Sequence, residues 1–171
     1  MSSKKGFTLV EMLIVIILIG ILVSVATLQF QQWIEVRNVE KQTREMYADL
    51  MDLRINSIQI KRISRAAFGP DRVQFRHSSI FNAYPSTTRL YRFPLRYMPA
   101  GGAQTAPNSS ESTSTVRFDE RGQTTLENWA IVVLPRNATA PHYQSGENCI
   151  IINNTITKIG RMENASSCRA R

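Results

Sequence analysis

The chain reads as an α+β protein in which a long N-terminal helix, membrane-spanning in its first half, packs by its second half on a C-terminal domain of antiparallel β-sheet. Three observations lead there. An uncharged, largely apolar run extends from Met12 to Ile34, apolar residues then recur at three- and four-residue steps to Ile58, and beyond residue 60 the pattern turns to short alternating runs separated by Gly, Pro, Asn and Ser. A length of 171 residues suits one globular domain beside such a helix. The roughly one hundred residues left after the helix can bury a modest core, and no internal repeat is visible.

The helix comes first. At about 1.5 Å per residue, the stretch 7–30 spans roughly 36 Å, enough for a bilayer core of about 30 Å. Lys4 and Lys5 precede it, so the positive-inside tendency leaves the N-terminus in the cytoplasm and carries everything after Trp33 across. Glu11 is the carboxylate of this stretch. A charge inside the bilayer costs about 2.5–3.5 kcal/mol on insertion scales, so it asks for a partner. Its first-turn position beside free N–H groups favours negative charge, and snorkelling to the headgroups is the simpler alternative. Over 31–60 the stripe Val36, Val39, Met46, Leu50, Leu53 and Ile58, with one turn skipped at Thr43, predicts an amphipathic continuation, while Glu40, Arg44, Asp49 and Arg54 fill other faces.

The string Gly6-Phe7-Thr8-Leu9-Val10-Glu11 behind the short basic leader resembles the processing site of type IV pilins and pseudopilins. That resemblance implies that a prepilin peptidase, a membrane aspartyl protease, removes residues 1–6 by cutting between Gly6 and Phe7 on the cytoplasmic side, and then methylates the new amine. Cleavage would also give Glu11 its partner. The Phe7 amine and the residue-11 carboxylate lie at i and i+4 on one helix face, and the amine of one subunit meets the carboxylate of a neighbour when parallel helices pack, which makes Glu11 the assembly residue. Ordinary signal cleavage after Ser24-Val25-Ala26 is the rival; it would start the chain at Thr27, and the helical rhythm beyond Ala26 argues against it. Pilin helices often carry Pro where Leu28 stands, so a local kink there loses its cause. The implied location is the bacterial inner membrane, crossed once, with the N-terminus cytoplasmic and the domain 61–171 periplasmic.

Within that domain Arg72 to Arg76 alternates, as does Leu90 to Tyr97, although Pro94 demotes the second run to an edge or broken strand. The Gly/Ser/Thr/Asn/Pro-rich stretch 100–115 reads as a mobile loop. Val116-Arg117-Phe118, a turn at Glu120-Arg121-Gly122, a strand from Trp129 to Leu134 and a hairpin over Ile150–Ile156 follow. Asn153-Asn154 suits a two-residue hairpin turn with positive φ. Phe118 to Gly122, the apolar strand after it, and Cys149-Ile150-Ile151-Ile152 running to Gly160-Arg161 look like the C-terminal half of the GspH/FimT group of minor pseudopilins and minor pilins.

Cys149 and Cys168 are the only cysteines. On the far side of an inner membrane they meet an oxidising compartment, which predicts a bridge between them. No Cys-x-x-Cys or His cluster suggests a metal, no cofactor is expected, and His77 and His142 stand alone. Asp119 and Glu120 adjoin but read as solvated turn residues, so no catalysis is expected.

The formal charge is +8. Arg54, Lys61, Arg62, Arg65, Arg72, Arg76, Arg89, Arg92 and Arg96 face only Asp71, and Lys158, Arg161, Arg169 and Arg171 close the chain. Tyr91, Phe93 and Tyr97 interleave with Arg92 and Arg96, which at strand spacing separates an aromatic core face from a solvated arginine face. An alternative is a footprint for DNA phosphates. Some FimT-like pilins are DNA receptors in natural transformation through a Gly-Arg-x-Arg motif; here Gly160-Arg161-Met162-Glu163 keeps the Gly and the first Arg and has Glu163 at the second, with Lys158, Arg169 and Arg171 as the nearby charge. The expected function is that of a minor pilin or pseudopilin that primes or caps a type IV pilus-like filament. Its expected partners are the prepilin peptidase, other pilins or pseudopilins and the inner membrane. The alternatives are a DNA-receptor pilin and a GspH-like minor pseudopilin of type II secretion.

Overall fold

The computed structural model describes residues 8–77, 87–99, 115–124, 129–135, 146–164 and 166–170, and the side chains of all of these but 25–29, 32, 77 and 99. It divides into two compact units, Met1–Glu35 and Val36–Arg171. One helix, α1 (Leu9–Ile60), supplies the first unit and opens the second. Its start is capped by Thr8, whose Oγ1 accepts the Glu11 N–H at 3.3 Å. Thr8-x-x-Glu11 is thus a capping-box sequence, Glu11 occupying the third helical position. The helix ends at Lys61, which adopts φ 52°, and the Arg62 N–H reaches back to the Ser57 carbonyl at 3.2 Å. This is the wrap-around closure that a left-handed residue permits.

The second unit contains two antiparallel sheets. In the first, the order is β3-β2-β1-β5, built from β1 (Ser64–Phe68), β2 (Arg72–His77), β3 (Thr87–Leu90) and β5 (Thr115–Phe118). The second runs β4-β6-β7-β8-β9, from β4 (Leu95–Pro99), β6 (Trp129–Val133), β7 (Cys149–Ile152), β8 (Thr157–Asn164) and β9 (Ser167–Ala170). The fold is the expected α+β arrangement, with the helix stripe Val39, Met46, Leu50 and Leu53 buried in one cluster with the inner residues of both sheets. Thr43 fills the skipped turn, fully buried, with its hydroxyl returned to the Val39 carbonyl at 2.9 Å. Ile58 leaves the stripe, 37% exposed.

Pro94 breaks the alternating run as expected: β3 and β4 end up in different sheets, each at an edge. The segment between them is clamped by buried Gln42, which donates to the Phe93 carbonyl at 2.9 Å and accepts the Phe93 N–H at 2.8 Å. Both backbone groups of Phe93 are satisfied as a neighbouring strand would satisfy them. Tyr91, Phe93 and Tyr97 are all buried, and Tyr97 stacks edge-on against Phe68 at 5.5 Å, tying one sheet to the other. β6 is an inner strand, next to the edge strand β4, and is buried on both faces, with Ile131 and Val133 in the main core and Ala130 and Val132 in a second cluster with Met98, Cys149 and Met162. This double burial explains its unbroken apolar run.

Two local expectations change. The hairpin turn after β7 is four residues long, since Ile152 pairs with Thr157 and the Asn153 N–H bonds the Ile156 carbonyl at 2.8 Å. Neither Asn takes positive φ. The wider turn lets the Asn154 carbonyl accept the Thr124 N–H at 2.9 Å and the Thr155 carbonyl accept Arg54 Nη2 at 2.7 Å. Asp119, in turn, is more than a solvated side chain: its Oδ1 accepts the Arg121 and Gln123 N–H groups at 2.9 and 2.7 Å, building the turn in which Gly122 takes φ 73°. The loop expected over 100–115 lies outside the described residues except for Thr115, the first residue of β5.

Candidate functional site

Gly6 and Phe7 lie outside the described residues; the structure begins at the Thr8 cap. From Leu9 to Val23 every large apolar side chain is open, from 43% at Val15 to 82% at Leu9. A helix apolar on all faces needs lipid or other helices around it. Among the described residues no helix is long and apolar enough to cross a membrane; the described side chains of this half stop at Ser24 and resume at Phe30. The span expected over 7–30 therefore rests on the amino-acid sequence. Helical backbone runs unbroken through Leu28, where pilin helices often place Pro. Phe30 and Trp33 stack at 6.0 Å near the end of the apolar run, the kind of pair that membrane interfaces favour.

In the second unit, many of the basic residues are consumed internally. Arg89 grips both oxygens of Asp49 at 2.7 Å, and the Tyr91 hydroxyl donates to the same carboxylate at 3.0 Å. These charge-assisted bonds, both from Arg89 Nη1, tie edge strand β3 to the helix. Burial, with the Asp49 charge beside it, pushes the Tyr91 phenol well above its ordinary value, and burial alone does the same for Tyr97. Arg44 pairs with Glu147 at 2.7 Å and Arg37 with Glu40 at 2.9 Å. On the surface Arg72 holds the Asp71 carboxyl below its ordinary range, mainly through their hydrogen bond. Arg92 lies over the Phe93 ring.

The C-terminal basic residues are split by the sheet. Arg161 and Arg169 are register partners on β8 and β9 and share a face, whereas Lys158 sits at odd spacing from Arg161 and points to the other side. There it lines an open groove of about 590 Å³ with Met98, Ile151, Ile156 and Cys168. Arg169 is paired with Glu163 at 3.1 Å, and Arg171 lies outside the described residues. Cys149 and Cys168 form a disulfide with Cα atoms 6.4 Å apart. It joins β7 to β9 across β8 and passes beside Gly160, where an added Cβ would stand 3.0 Å from the Cys168 sulfur and 2.5 Å from the Arg169 carbonyl oxygen. Among the described residues no group of His, Cys, Asp and Glu could hold a metal. Two features escaped the sequence reading. The Thr8 cap had a signal, Thr-x-x-Glu; the Gln42 clamp had none, because its partner lies 51 residues away.

Residues 1–27 match the prokaryotic N-terminal methylation motif. No curated protein matches the chain. The fold is similar to that of the minor pseudopilin EpsH from the type II secretion system of Vibrio cholerae. In one crystal structure of it the TM-score is 0.57 at 12% identity, covering 77% of this chain and 97% of that one. In another structure of the same protein the TM-score is 0.54 at 15% identity, covering 71% and 94%.

Proposed function

We propose that this type IV pilin-like chain is a minor pilin or pseudopilin, a structural subunit that enters a helical filament by its N-terminal helix. In this reading residues 1–6 are removed by prepilin peptidase between Gly6 and Phe7. Residues 7–30 first hold the protein in the inner membrane as a single pass, with the N-terminus cytoplasmic, and then form part of the filament core. Residues 31–60 carry the periplasmic β domain. The observation that carries the reading is the helix from Leu9 to Val23, whose large apolar side chains are all open and whose one charge, Glu11, stands in the first turn. Such a surface is costly in water, and both a bilayer and a bundle of like helices would cover it. Its attachment to a minor-pseudopilin fold supports the pseudopilus over the priming or capping of a pilus. The role requires assembly and no catalysis. Lys158, Arg161 and Arg169 do not converge on one surface, so the DNA-receptor reading gains no support at that site.

Mass spectrometry of protein purified from its own membranes tests this. Phe7 is expected as the first residue, carrying one added methyl, and a chain starting at Thr27 or an uncut Met1 would overturn the proposal.

A further inference from the structure

The two sulfurs of the disulfide stand in different surroundings. A thiolate that breaks an S–S bond must enter behind the sulfur it attacks, in line with the bond, so exchange depends on which sulfur can be reached. Cys149 is fully buried on β7, in one cluster with Met98, Ala130, Val132 and Met162, none of them more than 5% exposed. Cys168 is only partly buried, belongs to edge strand β9 and lines the open groove. Strand register sets Met98, Ala130, Ile151 and Lys158 side by side across β4, β6, β7 and β8, and this row lines the same groove with the exposed Ile156 and Ala170. Among the described residues of that lining, Lys158 is the only one with a charge. It stands two residues from Gly160 on one face of β8, and the bridge passes beside Gly160. An ammonium group and the reachable sulfur therefore share one opening. A cation there favours thiolate over thiol and attracts an anionic attacker.

We infer that this groove is a thiol–disulfide exchange site, with Cys168 Sγ the sulfur attacked and the thiolate of an external thiol its substrate. The thiolate gives its electron pair to Cys168 Sγ, the bond to Cys149 breaks, and that bond's pair leaves on Cys149 Sγ, which takes a proton because its surroundings are apolar. A second external thiolate then attacks the external sulfur of the mixed disulfide. Cys168 departs as a thiolate, and the two external sulfurs leave joined, so two electrons pass from the external thiols to the bridge. Run backward, the same steps make the bridge. The Cys168 thiolate attacks an external disulfide and expels one of its sulfurs, then deprotonated Cys149 attacks Cys168 Sγ and expels the other. In both directions the exposed cysteine carries the partner and the buried one resolves it. A small thiol and a protein dithiol share this chemistry, and the apolar row gives the protein more to touch. Filament assembly is not required for it.

The test uses the full chain, bridge intact, in neutral detergent micelles. Excess reduced glutathione is added, the reaction is quenched with acid at early times, free thiols are alkylated, and peptide mass spectrometry locates the glutathione. Cys168 should carry it in about tenfold or greater excess over Cys149, following access, and in urea-unfolded chain the two should be about even. The initial rate should rise linearly with glutathione concentration. Lys158→Glu should slow it about threefold or more at low salt, and Lys158→Arg should restore it. A peptide with one cysteine among apolar residues that outpaces glutathione, per thiolate, would mark a protein dithiol as the natural partner, and the reverse order a small thiol. Glutathione mainly or equally on Cys149 in the folded chain, a rate independent of glutathione concentration, or an unchanged rate in Lys158→Glu would each overturn the inference.

Discussion

Lys61 holds a backbone conformation that side chains resist, and it does so at the point where α1 must stop. A left-handed residue lets the Arg62 N–H close on the Ser57 carbonyl, but a Cβ there costs about 1–2 kcal/mol. Lys61→Gly should therefore stabilise the protein by about 1 kcal/mol, less the entropy glycine adds to the unfolded chain; a shift of the urea midpoint with unchanged slope would show it, and an unchanged or lower midpoint would not fit. Gly160 is the opposite case. Its backbone conformation is ordinary, yet the Arg169 carbonyl and the disulfide leave no room for a Cβ. Gly160→Ala should cost about 1–3 kcal/mol, as overpacking against backbone does, measurable in the same denaturation. Neither position announces itself in the sequence: a lysine after a helix looks like surface charge, and a glycine in a strand looks like weakness.

The helix shows how one residue can serve two ends. Glu11 donates its backbone N–H to the Thr8 hydroxyl and occupies the capping-box position, where Glu and Gln are nearly equivalent. Assembly through the Phe7 amine would need the charge. Glu11→Gln thus separates the roles: membrane insertion and cleavage should survive, while recruitment into filaments should fall severalfold or more, as it should for Glu11→Leu. Normal incorporation of the Gln variant, quantified by immunoblotting of sheared filaments, would leave Glu11 only its place in the cap. Among the strands, the alternating runs and the disruptive Pro94 were legible beforehand. That β3 and β4 belong to different sheets was not, because the choice depends on Gln42 clamping Phe93 and on Asp49 gripping Arg89, contacts 51 and 40 residues apart.

The domain as a whole is held by a core shared between the helix and two sheets, and by a single covalent link at its C-terminal edge. Closing a loop with a sequence separation of 19 stabilises by about 3 kcal/mol in the chain-entropy model. Reduction should lower the melting temperature by several degrees, and thiol trapping in denatured, unreduced protein should find neither Cys149 nor Cys168 free. The buried phenols set an alkaline limit. For Tyr91 and Tyr97 the folded-state pKa is raised, so their stabilising contribution is whole below the unfolded value of about 10 and is lost as pH climbs above it. Tyr97→Phe should make stability fall less steeply above about pH 10, seen as a shallower decline of the melting temperature; an unaltered decline would assign alkaline unfolding to other groups.

Periodicity and charge in the amino-acid sequence were enough to determine the long helix, its change from all-round apolar to amphipathic near residue 35, the β character of the rest and the motif at Gly6 to Glu11, because each depends on neighbours within a few residues. Only the tertiary structure decided which strands pair and therefore which cations meet. Arg65, Arg76 and Arg117 stand in register only once β1 lies between β2 and β5, while Lys158 and Arg161, three residues apart, fall on opposite faces of one strand. Side chains in a sheet alternate at each residue and assemble across strands, so nearness along the chain is a poor guide to nearness in space.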